Sequence, residues 1–327
     1  MITVPAPTGP GAFVHPALFY RDLDEYVAGV GGFVRASLSA GEPVLVAVPG
    51  PHLDALRESL GANTGKTGNA GNAADIVWID MTELGRNPGR ILAALQDFAD
   101  LHVSRAARIV GEPIWPGRTP AEVLEATRHE ALINSAFAGR PATVLCPYDV
   151  RGLAPGVLAD ARRTHPTLIE AGLDQPSPQY TAASAVSADC DRPLPEHDGE
   201  VPRLEYSHGE LAGVREFAES WARTTALTPA RRGDLVLAVS EAAANSLSHG
   251  GGKGTLRLWS TTGAGAGVVA EIQDGGRLAD PLAGRRRPSL ASANGGRGLW
   301  MIHQLCDLVE VRATDAGFTL RLHVATP

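Results

Sequence analysis

The stretch Leu235–His249, LVLAVSEAAANSLSH, decides how the second half of this chain is read. Its Leu, Val and Ala residues repeat with helical spacing, and Glu241 and Asn245 stand four residues apart, about one turn, so both side chains leave one face. A carboxylate and a carboxamide among apolar residues need polar partners, and a metal-bound phosphate ligand is one such partner. The plainer reading is a solvated edge on an amphipathic helix. Thr228-Pro229 supplies a cap and a first-turn proline for this helix, and Gly250-Gly251-Gly252 stops it. His249 is read as its last residue.

Working outward, an earlier helix follows Ser207, with Leu211, Val214, Phe217 and Trp221 at three- and four-residue intervals. Downstream, strands are expected at Thr255 to Ser260 and Gly267 to Gln273, joined by TTGAGAG. Another pair is expected at Leu308 to Ala313 and Phe318 to Val324, across Asp315-Ala316-Gly317. An acidic glycine turn, Asp274-Gly275-Gly276, ends the second strand, and Gly295-Gly296-Arg297-Gly298 opens a further helix. Gly284 to Asn294 has no apolar period and suits a mobile lid. The layers implied are helices on one face of a mixed or antiparallel sheet.

Glu and Asn on a helix, then D-G-G, then G-G-R-G-L, resembles the N, G1 and G2 boxes of the GHKL ATPases. SEAAANSLSH followed by GGRGLWMIHQLCD is most similar to the anti-sigma-factor serine kinases, over about residues 205 to 325. The resemblance implies a C-terminal α/β-sandwich (Bergerat) ATPase fold that binds ATP and Mg²⁺. It places Asn245 on Mg²⁺, an ion that prefers oxygen ligands, and Glu241 as the base for an attacking hydroxyl. Asp274 would accept from the adenine amino group, with Gly276 letting the base approach the backbone. Gly296 and Gly298 would present N–H groups to phosphate, and Arg297 would add charge. The G1 box departs from the family's D-x-G-x-G, because Leu278 stands where the last glycine is expected.

Composition sets the outer bounds. At 327 residues the chain has room for two domains, and 44% hydrophobic with 20% charged residues provides a sizeable core. A net charge of −7 argues against direct nucleic-acid binding, which needs clustered Lys and Arg. Cys146, Cys190 and Cys306 are widely separated and read as inert buried fillers, neither a zinc ribbon nor a disulfide framework. No export signal or membrane span is readable, so a cytoplasmic location is expected.

The first domain, 13–173, alternates apolar runs with helical patterns. The runs are Pro43 to Val48, Ile76 to Ile79, Ala107 to Gly111 and Ala142 to Cys146. The helices are Asp22 to Ala40, one through Leu53, Leu56 and Leu60, then Pro88 to Val103 and Pro120 to Phe137. That alternation predicts a parallel α/β sheet. Glu112 and Asp149 follow strands, where open α/β sheets place ligands. Glu130 shares a helix face with Asn134, and His165 follows a further helix. These four are candidates for a sensory pocket, against an alternative in which they tie loops together in a buried hydrogen-bond network. His15 is a weaker candidate.

Two motifs are rejected. Gly61-Ala62-Asn63-Thr64-Gly65-Lys66-Thr67 has three residues between its glycines where a P-loop needs four, and it follows a helix. His129-Glu130 lacks the two-helix hairpin and nearby proline of a phospho-accepting histidine box. The segments GEPVLVAV, GRNPGRILAAL, GEPIWPG, RHEALINSAF, LCPYD and THP together resemble the MEDS sensory domain, a degenerate relative of the RecA and KaiC fold. That resemblance implies small-molecule sensing without nucleotide hydrolysis. Residues 174–203, rich in Pro, Ser and Asp, read as a linker with a strand at its exit, before a second domain at 204–327.

Two functions follow from the resemblances. One is a serine kinase that phosphorylates a STAS-type anti-anti-sigma partner and thereby frees itself to hold a sigma factor. The other is an ATP-dependent protein clamp without kinase activity. Retention of Glu241 favours the first and the incomplete G1 box the second. Both are compatible with a homodimer and need no membrane, and a histidine kinase is the least supported reading.

Overall fold

The structure is a computed structural model that describes residues 12–64, 76–263, 266–288 and 296–326. The chain divides into two compact units, Met1–Ser187 and Ala188–Pro327. No described helix is long and apolar enough to cross a membrane.

The first unit is built on an eight-stranded sheet. Its strands are β1 (Phe13–Val14), β2 (Pro16–Tyr20), β3 (Val44–Val48), β4 (Ile76–Asp80), β5 (Ala107–Gly111), β6 (Ala142–Asp149), β7 (Thr167–Glu170) and β8 (Leu173–Pro176). They run in the order β4-β3-β5-β6-β2-β7-β8, with β1 also on β6. All pairings are parallel except β7 with β8. β1 and β2 keep one register along β6, Phe13 opposite Ala142 and Ala17 opposite Cys146, and the break at His15 precedes Pro16, which has no N–H to donate.

Helices α1 (Leu23–Ser39) and α2 (Gly50–Thr64) cover one face, where Tyr26, Val30, Leu53 and Leu56 pack with Leu18, Val46, Val110 and Leu145. The alternate strand residues Leu45, Ala47, Ile109 and Val144 are also buried, as expected when helices cover both faces. The remaining helices are α3 (Met81–Leu84), α4 (Ile91–Leu101), α5 (Pro120–Ala136) and α6 (Pro155–Thr164), with a short 3-10 turn at Pro88–Arg90. α5 opens with a capping box, Thr119 and Glu122 bonding to each other's backbone N–H. Gly61 to Thr64 of the rejected P-loop belong to α2, and residues 65–67 lie outside the described residues.

The second unit has an antiparallel sheet of five strands: β9 (Arg203–Ser207), β10 (Lys253–Thr261), β11 (Gly267–Asp274), β12 (Leu308–Thr314) and β13 (Gly317–Ala325), in the order β12-β13-β11-β10-β9. Helices α8 (Leu211–Ala222), α9 (Pro229–His249) and α10 (Arg297–Leu305) lie on one face. There Val214, Leu235, Val239 and Ile302 meet Leu256, Leu258, Ile272, Val309 and Leu322.

The alternate strand residues form a polar outer face. Glu271 accepts from Arg257 and Arg321, and Glu310 from Arg312 and His323. Residues of the 174–203 segment pack on this face. Arg321 donates to Pro195 O across 2.8 Å, Ala313 N to Asp191 Oδ1, and the His197 ring lies tilted against Trp259. A segment read as linker therefore carries β8, helix α7 (Ala183–Asp189) and a stretch fixed to a sheet face. Its Pro- and Asp-rich composition hides this, because the partners are a guanidinium, a backbone N–H and an indole ring on the outer sheet face instead of an apolar core.

Candidate functional site

α9 runs from Pro229, with Thr228 Oγ1 capping Arg231 N, to His249, and Gly250 ends it. One turn from its end, Ser246 points at β11. Ser246 Oγ donates to Asp274 Oδ2 across 2.6 Å, and Gly276 N donates to Asp274 Oδ1 across 2.7 Å. Each oxygen keeps acceptor capacity for a further donor. The backbone crowds this carboxylate: a methyl group on Gly250 would lie 2.4 Å from Asp274 Cγ, and one on Gly276 would lie 3.0 Å from Gly250 Cα. Glycine at 250 and 276 is thus a requirement of close approach.

α10 opens at Gly296, whose φ of +85° suits glycine, beside the last turns of α9, and runs back toward the start of α9, where Arg231 donates to Leu305 O. A methyl group on Gly298 would lie 3.1 Å from Glu241 Oε2 and 3.2 Å from Asn245 Nδ2. Between these elements lies a cavity of about 500 Å³, within the roughly 300–1,000 Å³ of ligand pockets. Asn245, Asp274, Gly276, Gly296 and Gly298 line it, together with the apolar side chains of Leu282, Leu299 and Phe318 and the cationic Arg277 and Arg286. The cavity therefore offers an apolar slot, an anchored carboxylate, glycine-lined backbone and positive charge. Glu241, half-buried, reaches its edge through Gly298.

In the first unit, two polar clusters stand on opposite faces of the sheet. On the α1–α2 side, Glu112 is fully paired: Tyr20 and Tyr26 donate their hydroxyls at 3.1 Å and His52 Nδ1 lies 2.9 Å away. Burial raises the Glu112 carboxyl above its usual range despite these donors. Asp149 lies on this side and accepts from Arg151 N. On the other side, Glu130 Oε2 sits 3.1 Å from His15 Nε2 and 3.2 Å from His165 Nε2. Burial alone would raise the Glu130 carboxyl, but the adjoining imidazoles of His15 and His165 hold it far below its usual range. His15 is lowered to about 4 by burial and by the neighbouring His165.

Two family models match the chain. The one described as MEDS, the MEthanogen/methylotroph, DcmR Sensory domain, covers residues 14–166. The one described as histidine kinase-like ATPase domain covers residues 205–324. The chain is a MEDS domain followed by a histidine kinase-like ATPase domain. No curated protein sequence matches it.

In the ATPase domain, Asn245, Asp274, Gly276, Gly296 and Gly298 come together around one cavity, with Glu241 at its edge and Arg297 opening α10. Leu278 packs against the domain core and also lines the cavity. The expected lid, Gly284 to Asn294, is described only to Pro288. Gly284 has a φ of +76° and touches Leu299, while residues 289–294 lie outside the described residues.

In the MEDS domain the four pocket candidates do not converge. Side-chain alternation puts Glu112 with Val110 and Leu145 on one face, and Cys146 with the Glu130 cluster on the other. Around Glu112 the arrangement is the hydrogen-bonded network that was the alternative reading. His129 is buried, which withholds it from a phosphoryl donor. Sequence reading took Cys146 for an inert filler and passed over Ser246 and the trio Tyr20, Tyr26 and His52. Only Ser246 carried a local signal, lying four residues from Ala242 on the face that Asn245 adjoins.

Proposed function

We propose that the ATPase domain binds ATP with Mg²⁺ and acts as a protein serine kinase on a STAS-type anti-anti-sigma partner, under control of a ligand-sensing MEDS domain. The observation that carries this reading is the grouping of Asp274, Asn245 and Gly298 around a single cavity, with Glu241 at its edge. The residues fit the nucleotide. Asp274, held by Ser246, is oriented to accept from an exocyclic amino group. Asn245 offers a neutral oxygen suited to Mg²⁺, and the glycines leave room for phosphate against backbone N–H groups.

Mg²⁺ would supply charge neutralisation on the phosphates. Glu241 would take the proton from the partner's serine as its oxygen bonds the γ-phosphorus and the bond to the ADP oxygen breaks. Phosphorylation of the partner would release this chain to hold a sigma factor.

A second reading, an ATP-dependent clamp without transfer, is favoured by Leu278 at the last glycine position of the G1 box. Labelled γ-phosphate separates them. The kinase reading expects label on the serine of the STAS protein. Tight binding of ATP and partner with no transfer would leave the clamp, and label on this chain's His129 would mean a histidine kinase.

A further inference from the structure

Four side chains that the ATPase chemistry does not use meet inside the MEDS domain. His15 comes from the break between β1 and β2, Glu130 from α5, Cys146 from β6, and His165 from the end of α6. Each exposes at most 1% of its surface. One ligand-type atom from each lies within 4.8 Å of the other three, the one such group among the described residues. The short edges are 3.1 Å from His15 Nε2 to Glu130 Oε2, 3.2 Å from His165 Nε2 to Glu130 Oε2, and 3.4 Å from Cys146 Sγ to His15 Nε2. Zinc–nitrogen bonds of about 2.0–2.1 Å and a zinc–sulfur bond of about 2.3 Å put tetrahedral donors roughly 3.3–3.6 Å apart. These three edges are therefore nearly those of a coordination sphere, and the remaining ones stay within 4.8 Å.

Hydrogen bonding outside the cluster fixes how each imidazole faces. Asn134 Nδ2 donates to Thr164 O at 2.8 Å, so Asn134 Oδ1 must be the acceptor for His15 Nδ1 at 3.1 Å. His165 Nδ1 donates to Ala161 O at 2.8 Å, which can only accept. With both protons committed to Nδ1, two neutral rings turn unprotonated Nε2 lone pairs toward a carboxylate and a sulfur. His165 Nε2 and Glu130 Oε1 have no hydrogen-bond partner among the described residues, and neither does the hydroxyl of Tyr148, whose ring stands edge-on to His165. Orphaned buried acceptors aimed at one point require either added protons or a cation.

The geometry points to a divalent transition-metal site of the zinc class, with His15 Nε2, His165 Nε2, Glu130 and Cys146 Sγ as its ligands. Nitrogen and sulfur donors exclude Mg²⁺ and Ca²⁺, which take oxygen shells. As the metal–sulfur bond forms, the Cys146 thiol gives its proton to solvent, and no electron is transferred. A carboxylate and a thiolate then cancel the cation's two charges, leaving a neutral centre in a fully buried position. Asn134 and the Ala161 carbonyl orient the rings, the role that outer hydrogen bonds play around metal-bound histidine.

The test uses the full-length protein, stripped with a chelator and titrated with Co²⁺ and Zn²⁺ in the absence of nucleotide. We expect one equivalent of Co²⁺ per chain, with a thiolate-to-cobalt charge-transfer band that zinc abolishes. The band should vanish in Cys146→Ser and persist in Cys190→Ser and Cys306→Ser. Asn134→Ala should keep the band while weakening zinc binding by about 10- to 100-fold. Absence of stoichiometric binding, or a band indifferent to Cys146→Ser, would overturn the site. If Cys146→Ser does not fold, X-ray absorption of the zinc-loaded parent decides: one sulfur among nitrogen and oxygen neighbours supports the site, and a shell without sulfur refutes it.

Discussion

Ser246 Oγ and Asp274 Oδ2 are joined by a 2.6 Å hydrogen bond that ties the last turns of α9 to the end of β11. Asp274 is thereby held in one orientation before any ligand arrives. Ser246→Ala removes a bond to a charged acceptor, worth about 1.5–3 kcal/mol. The expected outcome is a lower urea midpoint and weaker ATP binding, whereas Ser248→Ala, at an exposed position on the same helix, should change neither.

Gly298 separates site effects from stability. Alanine there sits in the first turn of α10, where exchanging Gly for Ala adds roughly 0.5–1 kcal/mol of helix stability. Its methyl group would press on Glu241 and Asn245 at 3.1–3.3 Å. Gly298→Ala should therefore melt no earlier than the parent yet bind ATP more weakly, as calorimetry of both properties would show.

The Glu112 network predicts a pH dependence confined to the MEDS domain. Burial opposes protonation of His52, but the Glu112 carboxylate and Asp149 outweigh it and raise the imidazole above its ordinary 6.5. The folded state thus binds this proton more tightly than the unfolded chain does. The stability it confers is fully present below about 6.5 and is lost as pH rises through the folded value. Denaturant midpoints of His52→Gln should trail the parent most at acidic pH, with the gap narrowing as pH rises. A gap that widens with pH would reverse the assigned sign.

Much of the ATPase domain was legible because its signals are local. Glu241 and Asn245 are one turn apart, glycines mark the ends of α9 and the start of α10, and period-two runs became β10 to β13 with boundaries shifted by at most two residues. The MEDS sheet was legible where apolar runs are continuous, at β3 to β6. β1 and β2 were passed over because Pro10 and Pro16 flank a short run that reads as an arm, and only pairing with β6 makes it a strand.

Clusters formed across the sheet leave no spacing to read. Cys146 stands 131 positions from His15, and Glu130 stands 115 from it. The same distance explains the grouping of Glu112 with Glu130 as pocket candidates. Both are acidic and buried, but Glu112 follows β5 with the parity of Val110 and faces α1 and α2, whereas Glu130 comes from α5 on the opposite face.

The central claim is that Glu241 serves the transfer step while Asn245 serves the nucleotide as well. It is tested most directly by measuring, on the full chain, both Mg²⁺-dependent ATP affinity and the rate of γ-phosphate transfer to the STAS partner for Glu241→Ala and Asn245→Ala. A general base acts on the chemical step, so Glu241→Ala should slow transfer by about 10²- to 10⁴-fold with little change in ATP affinity. Asn245→Ala should lose both, because the metal it would hold contributes to binding and to transfer. Unchanged transfer in Glu241→Ala, or parental ATP affinity in Asn245→Ala, would contradict the account.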